Sequence, residues 1–175
     1  AWAKTLLDTK LNNSLVKIED ISLNYALNIC EHLKKNNKQH TGLTNTFLED
    51  CRKYNRNEIT DEQLNVSSIK NGFNYVIDAF HNVVGDKVPL FYENIKKDKA
   101  IKITDNFYRL LESNDKNNFF LEINSRWRLW ETAISLDINP KLIEISFDVN
   151  NEVLFTINNR CKRIDVTSSR DALNG

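Results

Sequence analysis

The chain has 175 residues, of which 41% are hydrophobic and 27% charged, and its 24 basic residues are balanced by 24 acidic ones. This length suits one folded domain, or one domain with a small appendage, and the 4 glycines and 2 prolines exclude collagen-like and linker-rich classes. The formal net charge of zero excludes a uniformly basic surface, although it leaves local basic patches open.

The three cysteines, Cys30, Cys51 and Cys161, are far apart in sequence, and no two of them form a CxxC pair. A zinc knuckle within these residues is therefore not expected. The odd number of cysteines and the lack of a signal-peptide pattern predict a reducing, cytoplasmic setting. No apolar run approaches the length of a membrane span, so no membrane partner is expected.

The first strong helix pattern is "EDISLNYALNICEHLKK", residues 19–35. Leu23, Leu27, Cys30 and Leu33 recur at helical spacing and predict the buried stripe of this helix. Asp20 is the predicted N-cap, and the lysines at the carboxyl end suit the helix dipole.

A second helix is predicted over "NTFLEDCRKY", residues 45–54, because its apolar residues recur at helical spacing. They are Phe47, Leu48, Cys51 and Tyr54.

The sequence "TDEQ", Thr60 to Gln63, has the form of a capping box and predicts the start of a third helix. A long apolar stripe follows, and Gly85 stands where such a helix ends. The predicted buried residues of this stripe are Val66, Ile69, Phe73, Val76, Ile77, Phe80 and Val84.

The stretch around Pro89 is predicted to be irregular, with a short strand at residues 101–103. Thr104 and Asp105 then begin a short helix that carries Phe107, Leu110 and Leu111.

The longest helix pattern is "NNFFLEINSRWRLWETAISLDI", residues 117–138, which Asn139 and Pro140 end. Steps of three and four residues separate the members of its apolar stripe, as in a buried helix. These members are Phe120, Ile123, Trp127, Trp130 and Ile134.

After Pro140 the hydrophobic period changes to two, because "LIEISFD" and "EVLFTIN" flank an Asn-rich turn. This pattern predicts a β-hairpin, and "KRIDV" is a candidate third strand. The predicted fold class is α+β and predominantly α. A helical domain over residues 1–140 precedes a β-hairpin or small antiparallel sheet over residues 141–175. The last residues, "SSRDALNG", look like the first turn of a helix that leads towards a further module.

Two groups of cations are candidates for nucleic-acid contact. Arg126 and Arg128 flank Trp127, an arrangement that can combine phosphate contacts with base stacking. The alternative is that Trp127 belongs to the core, that Arg126 pairs with Glu122 four residues earlier and that Arg128 pairs with Glu131 three residues later.

The second group follows the predicted hairpin and makes the C-terminal stretch locally basic. Such a cluster suits a surface that contacts phosphates, and it equally suits a strand edge protected by charge. Its members are Arg160, Lys162, Arg163 and Arg170.

No catalytic centre is evident from residue types and spacing. Asp78 and His81 stand three residues apart, so the carboxylate could orient the imidazole as a base, but structural hydrogen bonds are the favoured interpretation. Glu144 and Asp148 fall on the predicted hairpin without the lysine expected two residues after such a carboxylate in a metal-dependent nuclease.

Three segments resemble the region upstream of the catalytic module in a family of bacterial HNH endonuclease-type proteins. They are "GFNYVIDAFHNV" (72–83), "SRWRLWETAISLDI" (125–138) and "KRIDVTSSRDALNG" (162–175), and the similarity begins near "FLEDCRKYNRNEIT". In that family the segment like "SRDALNG" leads into a zinc-binding CxxC and a ββα-metal nuclease module. The resemblance implies that zinc and a divalent metal such as Mg²⁺ belong to that module, and that this chain carries none of the catalytic residues.

The resulting functional expectation is a non-catalytic N-terminal region of an HNH endonuclease-like protein. It would assist the recognition of DNA or of a partner protein, in restriction or phage defence. The alternative is a helical protein-interaction or oligomerisation module without a nucleic-acid role, which the zero net charge favours. A third hypothesis, an enzyme that uses Asp78 and His81, is the least supported.

Overall fold

The computed structural model describes residues 1–9, 13–40, 45–82, 88–136, 144–148 and 153–157. The helices of these residues are α1 (Trp2–Asp8), α2 (Ile18–Lys35), α3 (Thr46–Asn55), α4 (Asp61–Ser67), α5 (Val76–Ala79), α6 (Asp105–Glu112) and α7 (Asp115–Ser135). The strands are β1 (Leu15–Lys17), β2 (Tyr92–Ile95), β3 (Ala100–Ile103), β4 (Glu144–Asp148) and β5 (Val153–Ile157). The predicted α+β, mainly α class is confirmed.

Contacts along the chain divide it into two units, Ala1–Arg126 and Trp127–Gly175. The predicted domain boundary at residue 140 falls outside the described residues and stays a prediction. The candidate third strand at residues 162–166, the helix start at "SSRDALNG" and the ends predicted at Gly85 and Pro140 also lie outside them.

Helix α2 is the central element of the first unit, where it packs against α1, α3 and α4. The helix predicted over residues 19–35 is confirmed, and its predicted stripe is confirmed in part, because Cys30 and Leu33 are buried. Tyr25, Ala26 and Ile29 are buried, whereas Leu23 and Leu27 are half-buried. The predicted cap is also wrong, because Lys17 is the N-cap residue and makes no side-chain cap, while Asp20 lies in the first turn.

Helix α3 follows its prediction closely. The Asn45 side chain accepts a hydrogen bond from the Leu48 main-chain N–H at 3.1 Å, which satisfies one of the unpaired donors at the helix start. Phe47, Leu48 and Cys51 are buried, and they face α2 and α4.

Helix α4 begins with the predicted capping box. Gln63 N–H donates to the Thr60 hydroxyl at 3.4 Å, and the Thr60 N–H donates to the Gln63 side chain at 3.0 Å. The long helix predicted after it is wrong, because a π-helical turn, Ser68–Gly72, ends it and α5 begins only at Val76.

Two residues of the predicted apolar stripe, Val66 and Ile69, do not face the core. Val66 is 63% exposed and Ile69 39% exposed, whereas the buried positions are Leu64, Ser67 and Ser68. Ile69 lies within the π-helical turn, whose extra residue displaces the face that the apolar spacing predicts, whereas Val66 lies before it on α4.

An aromatic core fills the first unit. The Tyr25 ring stacks on Phe47 with ring centroids 5.8 Å apart and lies 4.6 Å from the Phe73 ring. Trp2 makes edge contacts with Tyr25, Phe73 and Tyr92. Helix α1, for which the sequence analysis predicted no separate element, is anchored by these contacts.

A three-stranded antiparallel sheet with the order β1–β3–β2 completes this unit. Val16 lies opposite Ile101, and Tyr92 lies opposite Ile103. The strand predicted at residues 101–103 is confirmed, but β1 and β2 were not predicted. Helix α6 follows from Thr104 as expected and buries Phe107.

Helix α7 is confirmed as the longest helix of the described residues, and its stripe is partly confirmed. Trp127 and Ile134 are buried, whereas Phe120 is 36% exposed. In the second unit β4 and β5 pair in antiparallel register, with Glu144 opposite Ile157, so the predicted hairpin is confirmed. Within the described residues, no helix combines the length and apolar composition that crossing a membrane requires.

Candidate nucleic-acid interface

The arginines predicted on α7 are both exposed. The Arg126 guanidinium pairs with the Glu122 carboxylate at 2.7 Å, and their side chains are 71% and 48% exposed. Trp127 between them is buried, with 9% of its surface exposed. The Trp127 ring is therefore not exposed for base stacking, and the two arginines could contact a nucleic acid only through their charges. The alternative interpretation, a core tryptophan beside an ion-paired arginine, matches the structure.

The second predicted group, Arg160, Lys162, Arg163 and Arg170, lies outside the described residues. Its proposed contacts with phosphates stay a prediction.

A basic surface that was not among the predicted sites lies at the turn between β2 and β3. Lys96, Lys97 and Asp98 form a single 3₁₀ turn, and Lys99 adopts the left-handed conformation with φ 48° and ψ 47°. The Lys99 N–H donates to the Lys96 carbonyl at 3.3 Å. This turn reverses the chain and presents three lysines within four residues.

Two more lysines lie on the strands beside this turn. Lys102 on β3 is exposed and stands opposite Leu15 and Glu93. Lys17 on β1 stands opposite Ala100, which is two residues before Lys102 on β3. Lys17 and Lys102 therefore lie on the same face of the sheet. We call the five residues Lys17, Lys96, Lys97, Lys99 and Lys102 the lysine surface.

Ion pairs occupy part of the lysine surface. Lys17 pairs with Glu19 at 3.2 Å, and Lys96 pairs with Asp78 at 2.8 Å. Among the residues that the structure describes, the other three lysines form no ion pair. An anionic partner can therefore bind these three lysines without first breaking an ion pair.

Asp78 and His81 do not form an acid–base pair. Hydrogen bonds from Lys96 and Asn94, at 2.8 and 2.7 Å, engage both Asp78 oxygens and lower the pKa of its carboxyl. His81 instead accepts a hydrogen bond at Nε2 from the Phe91 N–H at 3.0 Å. Burial lowers the pKa of His81, so the neutral ring is favoured. The favoured interpretation, two structural residues, therefore agrees with the contacts.

A shallow surface cavity of about 350 Å³ lies at the start of α3. Its polar side chains bind one another: Arg52 donates to Asn37 and Glu49, and Lys53 pairs with Asp50. The lining residues are His40, Asn45, Thr46, Glu49, Asp50, Arg52 and Lys53. The described residues contain no group of three or more His, Cys, Asp or Glu side chains placed to hold a metal ion.

Compared with protein-family models, curated proteins and solved structures, the chain gives no match. The resemblance to HNH endonuclease-type proteins therefore stays a prediction.

The lysine surface had a signal in the sequence. "IKKDKAIK" places lysines between two short apolar segments, which is the pattern of a polar turn between strands. The pattern does not predict the sheet, because the segment around Pro89, which leads into β2, is predicted to be irregular.

Proposed function

We propose that this chain is a non-catalytic region of an HNH endonuclease-like protein and that it holds DNA through its phosphates. The observation that carries this proposal is the lysine surface, whose Lys97, Lys99 and Lys102 are exposed and form no ion pair within the described residues. A cytoplasmic role in restriction or phage defence is part of the proposal.

Lysines on a turn suit contact with phosphates rather than with bases. Each ammonium group is a point charge on a flexible stem, so it tolerates many positions of the backbone phosphates. Neutralising a phosphate releases condensed counterions, and binding then weakens as the salt concentration rises. Acidic neighbours such as Asp98 and Glu93 reduce the attraction between the lysine surface and the phosphates, so we expect weak DNA binding with little sequence preference. Arg128 is a further exposed cation in the described residues.

The chemistry of hydrolysis is assigned to a separate module. Zinc and a divalent metal such as Mg²⁺ would belong to the nuclease module that the resemblance implies. We therefore expect the purified chain to leave DNA intact in the presence of Mg²⁺. Cleavage that is lost in Glu144→Gln or Asp148→Asn would overturn this part of the proposal.

The binding experiment measures the affinity for a short fluorescent duplex by anisotropy, between about 50 and 200 mM salt. The test variant combines Lys97→Ala, Lys99→Asn and Lys102→Ala, because asparagine tolerates the left-handed conformation at residue 99. Losing three phosphate contacts should reduce the slope of log K against log salt by about 2 to 3.

The matched control removes three lysines from the carboxyl end of α2 and the segment after it: Lys34→Ala, Lys35→Ala and Lys38→Ala. We expect this variant to keep most of the wild-type slope of log K against log salt. An unchanged slope in the test variant, or an equal loss in the control, would contradict a role for the lysine surface.

A second candidate function is a protein-interaction or oligomerisation module. The exposed apolar side chains of Val66 and Ile69, one helical turn apart beside the π-helical turn, favour it. Sedimentation of the wild type and of Val66→Asp separates the two candidates. Self-association that Val66→Asp abolishes, without salt-dependent DNA binding, would support the interaction module.

A further inference from the structure

Two cysteines that are distant in sequence meet in the core of the first unit. Cys30 on α2 and Cys51 on α3 are 21 residues apart in the chain, and the Cys30 thiol donates to the Cys51 carbonyl at 3.6 Å. Both side chains are buried, with 2% and 0% of their surface exposed.

The neighbouring Cys51 lowers the pKa of the Cys30 thiol, whereas the neighbouring Cys30 and burial raise the pKa of the Cys51 thiol, so Cys30 is the better nucleophile of the two. Both thiols are nevertheless buried, which keeps dissolved oxidants away from them while the helices stay packed. Reaction with a dissolved oxidant therefore requires a local separation of α3 from α2.

One feature of the contact lowers the cost of that separation. The Asn55 amide on α3 donates to the Cys30 carbonyl at 2.9 Å, but its Oδ1 is buried and has no hydrogen-bond partner among the described residues. Exposure of this oxygen to water offsets part of the packing lost when the helices separate.

We propose that Cys30 and Cys51 form a reversible disulfide that ties α2 to α3, with a small disulfide such as oxidised glutathione as the oxidant. One protein thiolate attacks a sulfur of that disulfide, forming a mixed disulfide and releasing one glutathione thiolate. The second protein thiolate then attacks the protein sulfur of the mixed disulfide and releases the second glutathione. Two protein thiols are oxidised by two electrons, the small disulfide is reduced to two thiols, and the two protons pass to those thiols.

In a reducing compartment the pair would stay as thiols, and a rise in the oxidised glutathione fraction would close the bond. The disulfide restricts the unfolded chain between two helices of the core. From the size of the closed loop and the length of the chain, we expect the melting temperature to rise by about 6 to 12 °C on oxidation.

The experiment uses the full chain, equilibrated in buffers with increasing ratios of oxidised to reduced glutathione. Intact mass and peptide mapping report the cross-link, and thermal unfolding reports its effect. We expect a mass lower by two hydrogens, a peptide linking Cys30 to Cys51, faster formation in mild denaturant, and reversal by a dithiol. Cys161→Ser should behave in the same way.

Two variants serve as controls, Cys30→Ser and Cys51→Ser, which should take up at most a single glutathione at the remaining cysteine of the pair. The mapping on the wild-type chain remains decisive if either variant fails to fold. The inference is overturned if the thiols stay reduced in the most oxidising buffer with mild denaturant. Stable glutathione adducts at both cysteines, or a cross-linked form that melts lower than the reduced form, would overturn it as well.

Discussion

Replacing Tyr92 with phenylalanine should destabilise the first unit strongly, although the change removes a single oxygen atom. The Tyr92 hydroxyl accepts from the Trp2 indole N–H at 2.8 Å and donates to the Ile77 carbonyl at 2.7 Å. Trp2 and Tyr92 are 4% and 2% exposed, so water cannot replace the lost partner. The variant leaves one donor and one acceptor buried without hydrogen bonds.

The size of the effect follows from these two orphaned groups. Each costs about 1 to 3 kcal/mol, and we expect a loss of about 3 kcal/mol in the free energy of unfolding. For a chain of this length the melting temperature should then fall by about 6 to 12 °C.

Urea unfolding followed by circular dichroism measures this loss, and Tyr54→Phe is the matched control. The Tyr54 hydroxyl donates to Asp61 at 2.8 Å at an exposed site, so its removal should cost less than about 0.5 kcal/mol. A double-mutant cycle with Trp2→Phe should give a coupling of about 1 kcal/mol. If Tyr92→Phe and Tyr54→Phe cost the same, the hydroxyl does not join α1, β2 and α5 as described.

Three further predictions test local features of the fold. Gly72→Ala should lower the free energy of unfolding by about 1 kcal/mol, because the new Cβ would lie 3.2 Å from the Ser68 hydroxyl and 3.3 Å from the Tyr25 ring. An unchanged urea midpoint would show that the neighbouring side chains move to accommodate the methyl group. Thr60→Ala should cost about 1 kcal/mol in the same assay through loss of the capping box, whereas Thr60→Ser should restore most of it. Burial lowers the pKa of His81 in the folded state, so its stabilising contribution is complete above the unfolded value of 6.5 and is lost as the pH falls through the lower folded pKa. Urea midpoints measured from neutral to mildly acidic pH should decline less in His81→Gln than in the wild type, and parallel curves would exclude this role.

Sequence patterns predicted the helices best where the local signals agreed. Thr60 and Gln63 form a capping box whose partners are three residues apart, so the start of α4 can be predicted from the local sequence. The exposure of Ile69 could not be predicted, because this residue lies in a π-helical turn that breaks the regular apolar spacing. Val66 precedes that turn, and the turn does not explain its exposure.

The sheet and the lysine surface depend on pairings that no local pattern specifies. Strands of three or four residues are too short for alternation to be decisive. Lys97 and Lys99 are identifiable as charged residues in the sequence, but their position beside β1 follows only from the pairing of β1 with β3. The meeting of Cys30 and Cys51 is likewise set by the packing of α2 on α3.

The pairing of the first strand with β3 has a consequence for how the protein is made. Trp2 and its partner Tyr92 are 90 residues apart in the chain. Strand β1 pairs with β3, which follows Tyr92 in the sequence. At roughly 5 to 20 residues per second, a ribosome needs about 5 to 20 s to synthesise that interval. For part of that time α1 and β1 are outside the ribosome without their partners, and their apolar side chains are accessible to chaperones. Folding of the first unit therefore waits for translation to pass β3.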